Sequence, residues 1–274
     1  MTSIEQRTAE PSTTAQDAPG ASAPGATGAA PGAPIVVDGL TVTGRVADAA
    51  RALADEPTLQ QTLDRVVELA VSMVDGCESA GISLISRGRI DSPAVSDPLV
   101  ARGDELQYEL GEGPCLDAIR EAPLVESGDI EADVRWPRWA PQVADELGVR
   151  SMLCVQLYTS ETAHGALNMY ATTRDAFGPD DHHLAATFAA VAAAAISAAR
   201  TEEQLQSAVQ TRTLIGQAQG ILMERFSLSS SRAFAVLSRV SQDSNVKLVD
   251  VARQIVETRR VPGIDRPDAP TSGS

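Results

Sequence analysis

The sequence predicts an α+β chain in three parts: a domain built on an antiparallel sheet, a helical connector, and a C-terminal bundle of three short helices. Three observations predict it. Between residues 45 and 200, helical spacing alternates with short strand-like runs that come in pairs across tight turns. From Pro179 to Glu224 no further proline intervenes and no glycine precedes Gly216, so one long helix can leave the first domain and enter the next. The charge is also divided along the chain. The total is −15, yet residues 1–204 carry 13 basic and 31 acidic side chains (−18), residues 205–262 carry 8 and 4 (+4), and residues 263–274 carry 1 and 2 (−1). A net −15 spread evenly would argue against nucleic acid; concentrated in the body, it leaves a small basic domain free to bind one.

Residues 8–34 consist of Ala, Gly, Pro, Ser or Thr at 24 of 27 positions, with five prolines and no aromatic or large aliphatic side chain. Such a segment buries too little apolar area to offset its ordering entropy, so residues 1–34 are expected to form a disordered tail, as are residues 263–274. Helical spacing then covers residues 45–54 and 57–74, the latter through Leu59, Leu63, Val66, Val67, Ala70 and Val74, with Pro57 as a start and Gly76 as a stop. Residues 79–86 and 89–95 read as strands joined at Gly88. Short helices are expected over 98–108 and 114–121, an extended stretch over 123–126, and a helix over 136–147. Residues 151–158 and 165–172 read as a second pair of strands, with 159–164 as the polar turn.

In the long helix, Leu184, Phe188, Val191, Ala195, Ala198, Glu202, Leu205, Val209 and Arg212 alternate by four and three residues. That is a heptad seam weakened by alanine at two positions and charge at two more, and it predicts a homodimer through the connector. The alternative is that residues 184–196 only pack on the sheet. The same stretch is the longest apolar run and falls short of the roughly 20 residues a bilayer span requires. Cys77, Cys115 and Cys154 are odd in number, far apart and without a CxxC, which disfavours a disulfide framework or structural zinc. With no signal peptide read at the start of the sequence, a cytoplasmic protein that uses no membrane is expected.

The antiparallel-sheet domain resembles the GAF fold, a small relative of PAS domains used for sensing, over about residues 45–200. The resemblance rests on GEGPCLDAI (111–119), DIEADVRWP (129–137), GALNMY (165–170) and FGPDDHHLAATFAAVAAAAI (177–196). Some GAF domains bind small ligands, so a small molecule is a possible partner here, but no residue identifies one. GEGPC also resembles the turn of the free methionine sulfoxide reductases, a GAF-fold enzyme family whose catalytic thiol follows GxGxC. Cys115 occupies that place and is a candidate redox sensor. Residues 95–114 hold no second thiol to resolve a sulfenic acid, and no nucleotide-binding, kinase or hydrolase motif is found, so the chain is not expected to be an enzyme. No cofactor is expected. A metal site is not expected either, because His182 and His183 are adjacent at a helix start and point to different faces, while His164 lies in the turn.

Residues 201–262 are expected to form the connector and an effector bundle with three apolar faces: Leu214, Ile215, Ala218, Ile221 and Leu222; Ala233, Phe234, Leu237 and Val240; and Leu248, Val251, Ala252, Ile255 and Val256. IGQAQGILMERF (215–226), SRAFAVLSRVSQDSNVKL (231–248) and DVARQIV (250–256) resemble the ANTAR domain, an RNA-binding module of antitermination regulators. The resemblance implies binding of a paired-hairpin leader RNA by a dimer, so that a terminator does not form. This chain departs from it at Gln219, where the family often has lysine.

Arginine suits phosphate oxygens and guanine edges, and Arg212, Arg225, Arg232, Arg239, Lys247 and Arg253 lie on or beside these helices. Polar side chains can read the unstacked bases of hairpin loops. The candidate RNA-binding set is therefore Arg212, Gln217, Gln219, Gly220, Arg225, Arg239, Ser241, Asn245 and Lys247. Gly216 and Gly220 each cost about 1 kcal/mol inside a helix relative to alanine. Approach of RNA or a partner helix accounts for that cost, and so does tight packing within the bundle. Phe226 and Phe234 are expected in the core. A helix-turn-helix-like DNA-binding dimer and a protein adaptor are the other function classes left open.

Overall fold

The computed structural model describes residues 36–37, 40–86, 88–159 and 162–262; the expected tails at 1–34 and 263–274 lie outside the described residues. A two-residue hairpin, β1 (Val36–Val37) with β2 (Leu40–Thr41), precedes helix α1 (Val42–Ala54). Helix α2 (Leu59–Met73) starts two residues after Pro57, because the Thr58 hydroxyl caps it by accepting from the Gln61 amide at 3.2 Å.

Strands β3 (Ser79–Ser86), β4 (Arg89–Val95), β5 (Leu124–Ser127), β6 (Ser151–Thr159) and β7 (Thr162–Ala171) form one antiparallel sheet in the order β4-β3-β7-β6-β5. The second hairpin is longer than expected. Pairing runs on to Thr159 opposite Thr162, so most of the presumed polar turn is strand. Between the hairpins lie α3 (Pro98–Leu110), α4 (Pro114–Arg120) and α5 (Trp139–Leu147). α3 is capped by Asp97, which accepts from the Leu99 amide at 2.8 Å, and stops at Gly111 in the left-handed region, φ 69°. α5 begins three residues later than its sequence pattern suggests, past Pro137.

The sheet is covered on both faces, which is why β6 reads as an almost unbroken apolar run. Leu153, Val155 and Leu157, with Leu167 and Met169 of β7, face a core shared with α1, α2 and the first part of α6 (Pro179–Phe226). Met152, Cys154, Ala166 and Tyr170 point the other way, into a core closed by α3, α4, α5 and the two tryptophans. Gly165 permits the central pairing, since a Cβ there would sit 1.7 Å from the Ser83 carbonyl oxygen.

Helix α6 is 48 residues long, roughly 70 Å at 1.5 Å per residue. Asp180 and Asp181 lie in its first turn and Arg225 in its last, matching the helix dipole, and Asp181 accepts from the Gly178 amide at 2.9 Å. Its length and composition alone would suit a membrane span. Its apolar face is used otherwise, with Leu184, Ala185, Phe188, Ala189, Ala192, Ala193 and Ile196 buried against the sheet domain. The third core lies at the far end, where Ala218 and Leu222 meet Ala233 and Leu237 of α7 (Ser230–Ser244) and Val251, Ala252 and Ile255 of α8 (Leu248–Thr258).

Candidate functional site

Two places carry polar chemistry: the outer surface of the three-helix bundle and the interior of the sheet domain between β3, β7, α3 and α4.

On the bundle, the fold divides the sequence-derived candidates. Gln217, Gly220 and Arg225 of α6 line a groove of about 960 Å³ whose opposite wall is the end of α8, with Thr258, Arg259 and Arg260. Arg225 Nη1 donates to the Arg259 carbonyl at 2.8 Å, and its guanidinium carbon lies 5.4 Å from the Phe226 ring centroid. Ser241, in the last turn of α7, and Asn245 and Lys247, in the α7–α8 turn, lie at the opposite end of α8, about 16 Å away by helical rise. There Asn245 is the left-handed cap of α7, φ 54°, and the Ser241 hydroxyl donates to the Val246 carbonyl at 2.6 Å. Both shape that turn, which leaves exposed Lys247 as its charged member. Arg239 is exposed and lies 3.6 Å from Asp243; Arg253 pairs with Asp250 at 2.7 Å. Gln219 donates to the Ser230 carbonyl at 3.3 Å and so braces the α6–α7 junction. Arg212 is exposed on the connector.

Sequence reading missed Arg259 and Arg260, since nothing in the helical pattern shows that α8 returns its end to Arg225. Three of its expectations change. Phe226 and Phe234 are not core: they are 39% and 45% exposed, because the bundle closes on Ala218, Leu222, Ala233 and Leu237 instead. Tight packing does not explain Gly216 and Gly220, because a Cβ at either would meet nothing within 4 Å. The heptad seam is split. Leu184 and Phe188 are spent on the sheet, while Leu205 and Val209 are each 63% exposed.

In the sheet domain, the GEGPC turn is fixed by Gly113, at φ 138°, whose absent side chain makes room for Gln107. Gln107 Oε1 then accepts from the Cys115 amide at 2.8 Å. Cys115 Sγ lies 3.1 Å from Ser83 Oγ, which also accepts from Asn168 Nδ2 at 2.8 Å. Asn168 donates as well to Asp104 Oδ1 at 2.9 Å, Tyr170 OH donates to the same oxygen, and Ser92 Oγ donates to Oδ2 at 2.8 Å. Tyr108 OH bonds Ser83 and, at 2.8 Å, Ser92. Asp104, Cys115 and Asn168 are wholly buried.

Burial raises the Asp104 carboxyl to about 6 despite these donors, and burial together with the nearby Asp104 pushes the Cys115 thiol up to about 12. A redox-sensing thiol needs access and thiolate character, and Cys115 has neither in this conformation. Cys77 is raised to about 12 and Cys154 is raised too, each chiefly by burial.

The motifs of the sheet domain meet in space. Trp136 Nε1 donates to Asp117 Oδ2 at 2.8 Å, the Arg138 amide donates to Glu112 at 3.0 Å, and Trp139 Nε1 donates to the Gly103 carbonyl at 3.2 Å. His182 and His183 engage different groups, Glu126 at 3.1 Å and the Pro179 carbonyl at 2.7 Å. The His164 side chain lies outside the described residues.

The GAF domain family matches residues 56–197, and the ANTAR domain family matches residues 203–256. No curated protein matches the chain. Among solved structures, it is similar to the phytochrome photosensory core module of Stigmatella aurantiaca, with 13% identity, a TM-score of 0.50, and coverage of 73% of this chain and 44% of that one. A GAF domain of a phosphoenolpyruvate-protein phosphotransferase from Coxiella burnetii is 16% identical, TM-score 0.49, over 60% of this chain and 96% of that one. Free methionine-R-sulfoxide reductase from Neisseria meningitidis is 17% identical, TM-score 0.48, over 59% and 92%. The likeness to the first extends to the fold alone, and the chemistry of the other two does not transfer. With its GAF match spanning more than half of its length, the chain belongs to the GAF domain family and carries an ANTAR domain, joining a sensor module to an RNA-binding antitermination effector.

Proposed function

We propose that this protein is a cytoplasmic, dimeric regulator of transcription antitermination, without enzymatic activity, whose bundle binds hairpin leader RNA under the control of the sensor domain. The observation that carries the reading is the basic surface of the ANTAR bundle, where Gly220 and Arg225 share one groove and Gly220 leaves the helix backbone open to a ligand. Phosphate contacts there position an RNA, and nearby polar groups such as Gln217 reach its bases. Exposed Leu205 and Val209 support pairing of two chains along the connector, which would present two bundles to two hairpins. A concavity of about 450 Å³ over Ser92 and Tyr108, both bonded into the buried cluster around Asp104, supports a small molecule as the input. Such a ligand acts only if it binds one connector state more tightly than the other.

The test is a gel-shift series at one fixed salt concentration with a dual-hairpin RNA, an unstructured RNA and duplex DNA. Preference for the dual hairpin is expected. Equal or tighter binding to duplex DNA would replace this reading with the DNA-binding one.

A further inference from the structure

Residues 201–262 contain two aromatic side chains, Phe226 and Phe234, and the fold leaves both exposed. The sensor domain treats the same side chain the other way, with Phe177 and Phe188 buried in its core. A three-helix bundle of this size buries little apolar area and gains from every ring it can enclose. This one closes instead on an alanine from each helix, Ala218, Ala233 and Ala252, packed with aliphatic side chains. Small residues at the contact bring helix axes together, which leaves a phenyl ring at the rim. The two rings flank one interhelical contact, where Gln219 donates to the Ser230 carbonyl at 3.3 Å. On α6, Met223 and Phe226 follow Gln219 by four and seven residues and share its face; on α7, Phe234 follows Ser230 by four and shares its face. Met223 is exposed as well, so the α6 side of this rim is apolar for about a turn. Phe226 also borders the groove between α6 and α8, because the guanidinium carbon of Arg225, a lining residue, lies 5.4 Å from its ring centroid.

We infer that Phe226 and Phe234 are stacking platforms for unpaired bases of the hairpin loop, set at the rim where α6 meets α7. The inference rests on the RNA-binding reading and deepens it. An unpaired base has an apolar face and hydrogen-bonding edges, so a ring at the border of a polar groove meets both needs at once. Stacking uses the face that every base has, and it therefore holds a splayed loop with little regard to its sequence. It also involves no charge, which separates it in salt from contacts to phosphate.

The experiment uses the full chain, a dual-hairpin RNA, and the same RNA with abasic sugars at the loop positions, which removes the bases and keeps the phosphates. Binding is measured over a range of salt concentrations for the parent and for F226L/F234L, which keeps an apolar side chain and removes the ring; thermal melts monitor folding and sedimentation the oligomeric state. The variant should bind the intact RNA about fivefold or more weakly, with an unchanged slope of log K against log salt. The abasic RNA should bind the parent more weakly than the intact one does, and should bind parent and variant alike, since the interaction that the variant lacks is already gone. A variant that binds the intact RNA as tightly as the parent, or that loses as much on the abasic RNA, overturns the platforms while leaving RNA binding intact. So does a shift from dimer to monomer with RNA affinity unchanged, which would give the rings to a second copy of the chain. If the variant does not fold, 2-aminopurine at each loop position in turn reports on the parent alone: quenching on binding at one or more positions is expected, and unchanged fluorescence at all of them overturns the platforms. A parent that binds neither RNA overturns the RNA-binding reading itself, and the platforms with it.

Discussion

Asp104 is a carboxylate buried among phenol, hydroxyl and amide donors, with no cation among its hydrogen-bond partners in the described residues. Its folded value, about 6, lies above the ordinary 3.8. The folded state therefore holds the proton to higher pH than the unfolded chain does. The stabilisation this gives is complete below about pH 4 and is lost as the pH rises through 6. Asp104→Asn removes the titration, so its stability relative to the parent should improve between pH 4 and 7.5 by about 2 kcal/mol. Urea melts of both proteins at pH 4, 5.5 and 7.5 measure it, and any constant cost of the amide cancels in the comparison. A difference that does not change with pH would mean that Asp104 ionises normally. The thiols give a second residue-scale expectation. All three are buried, and burial raises each pKa, so iodoacetamide at pH 7.5 should leave them nearly unmodified in the native protein and label all three in denaturant. Rapid native labelling of Cys115 would show an accessible, reactive thiol and restore it as a candidate redox sensor.

At the scale of elements, the central β3–β7 pairing depends on a missing side chain. Gly165→Ala places a methyl carbon on the Ser83 carbonyl oxygen, and strands in a covered sheet have little room to part. A loss of about 3 kcal/mol or more in chemical denaturation is expected. Helix α6 performs three tasks along its length: its first part closes the sheet core, its middle is exposed on every side from Thr201 to Gln210, and its end builds the effector bundle. The exposed middle is where pairing of two chains is testable. Replacing Leu205 and Val209 by serine should change the melt of the isolated chain by less than about 0.5 kcal/mol, as surface substitutions do. The same variant should shift sedimentation equilibrium from dimer toward monomer, and an unchanged dimer would move the interface elsewhere.

At the scale of the whole molecule, a continuous helix transmits rotation as well as distance. Each inserted residue turns the bundle by about 100° relative to the sensor domain, so seven inserted residues nearly restore the phase and two do not. Insertion of seven residues after Ser207 should keep dual-hairpin affinity near that of the parent, and insertion of two should weaken it. Equal affinity in both would show that the two bundles act independently. The division of charge belongs to this scale as well, with −18 over residues 1–204 and +4 over residues 205–262, and like charge disfavours a polyanion at the acidic body. By itself the sequence determined the order of the helices and of the five main-sheet strands, most of the three apolar faces and the place of the basic domain, because helical and strand periodicity, proline and glycine punctuation and local charge are properties of neighbours along the chain. Tertiary structure alone decided which of those residues meet. It buried Cys115 beside Asp104, spent Leu184 and Phe188 on the sheet, turned Phe226 and Phe234 outward, and folded Arg259 and Arg260 back against Arg225. Those outcomes depend on packing between segments far apart in sequence, and periodicity within one segment carries no record of the partner it will find.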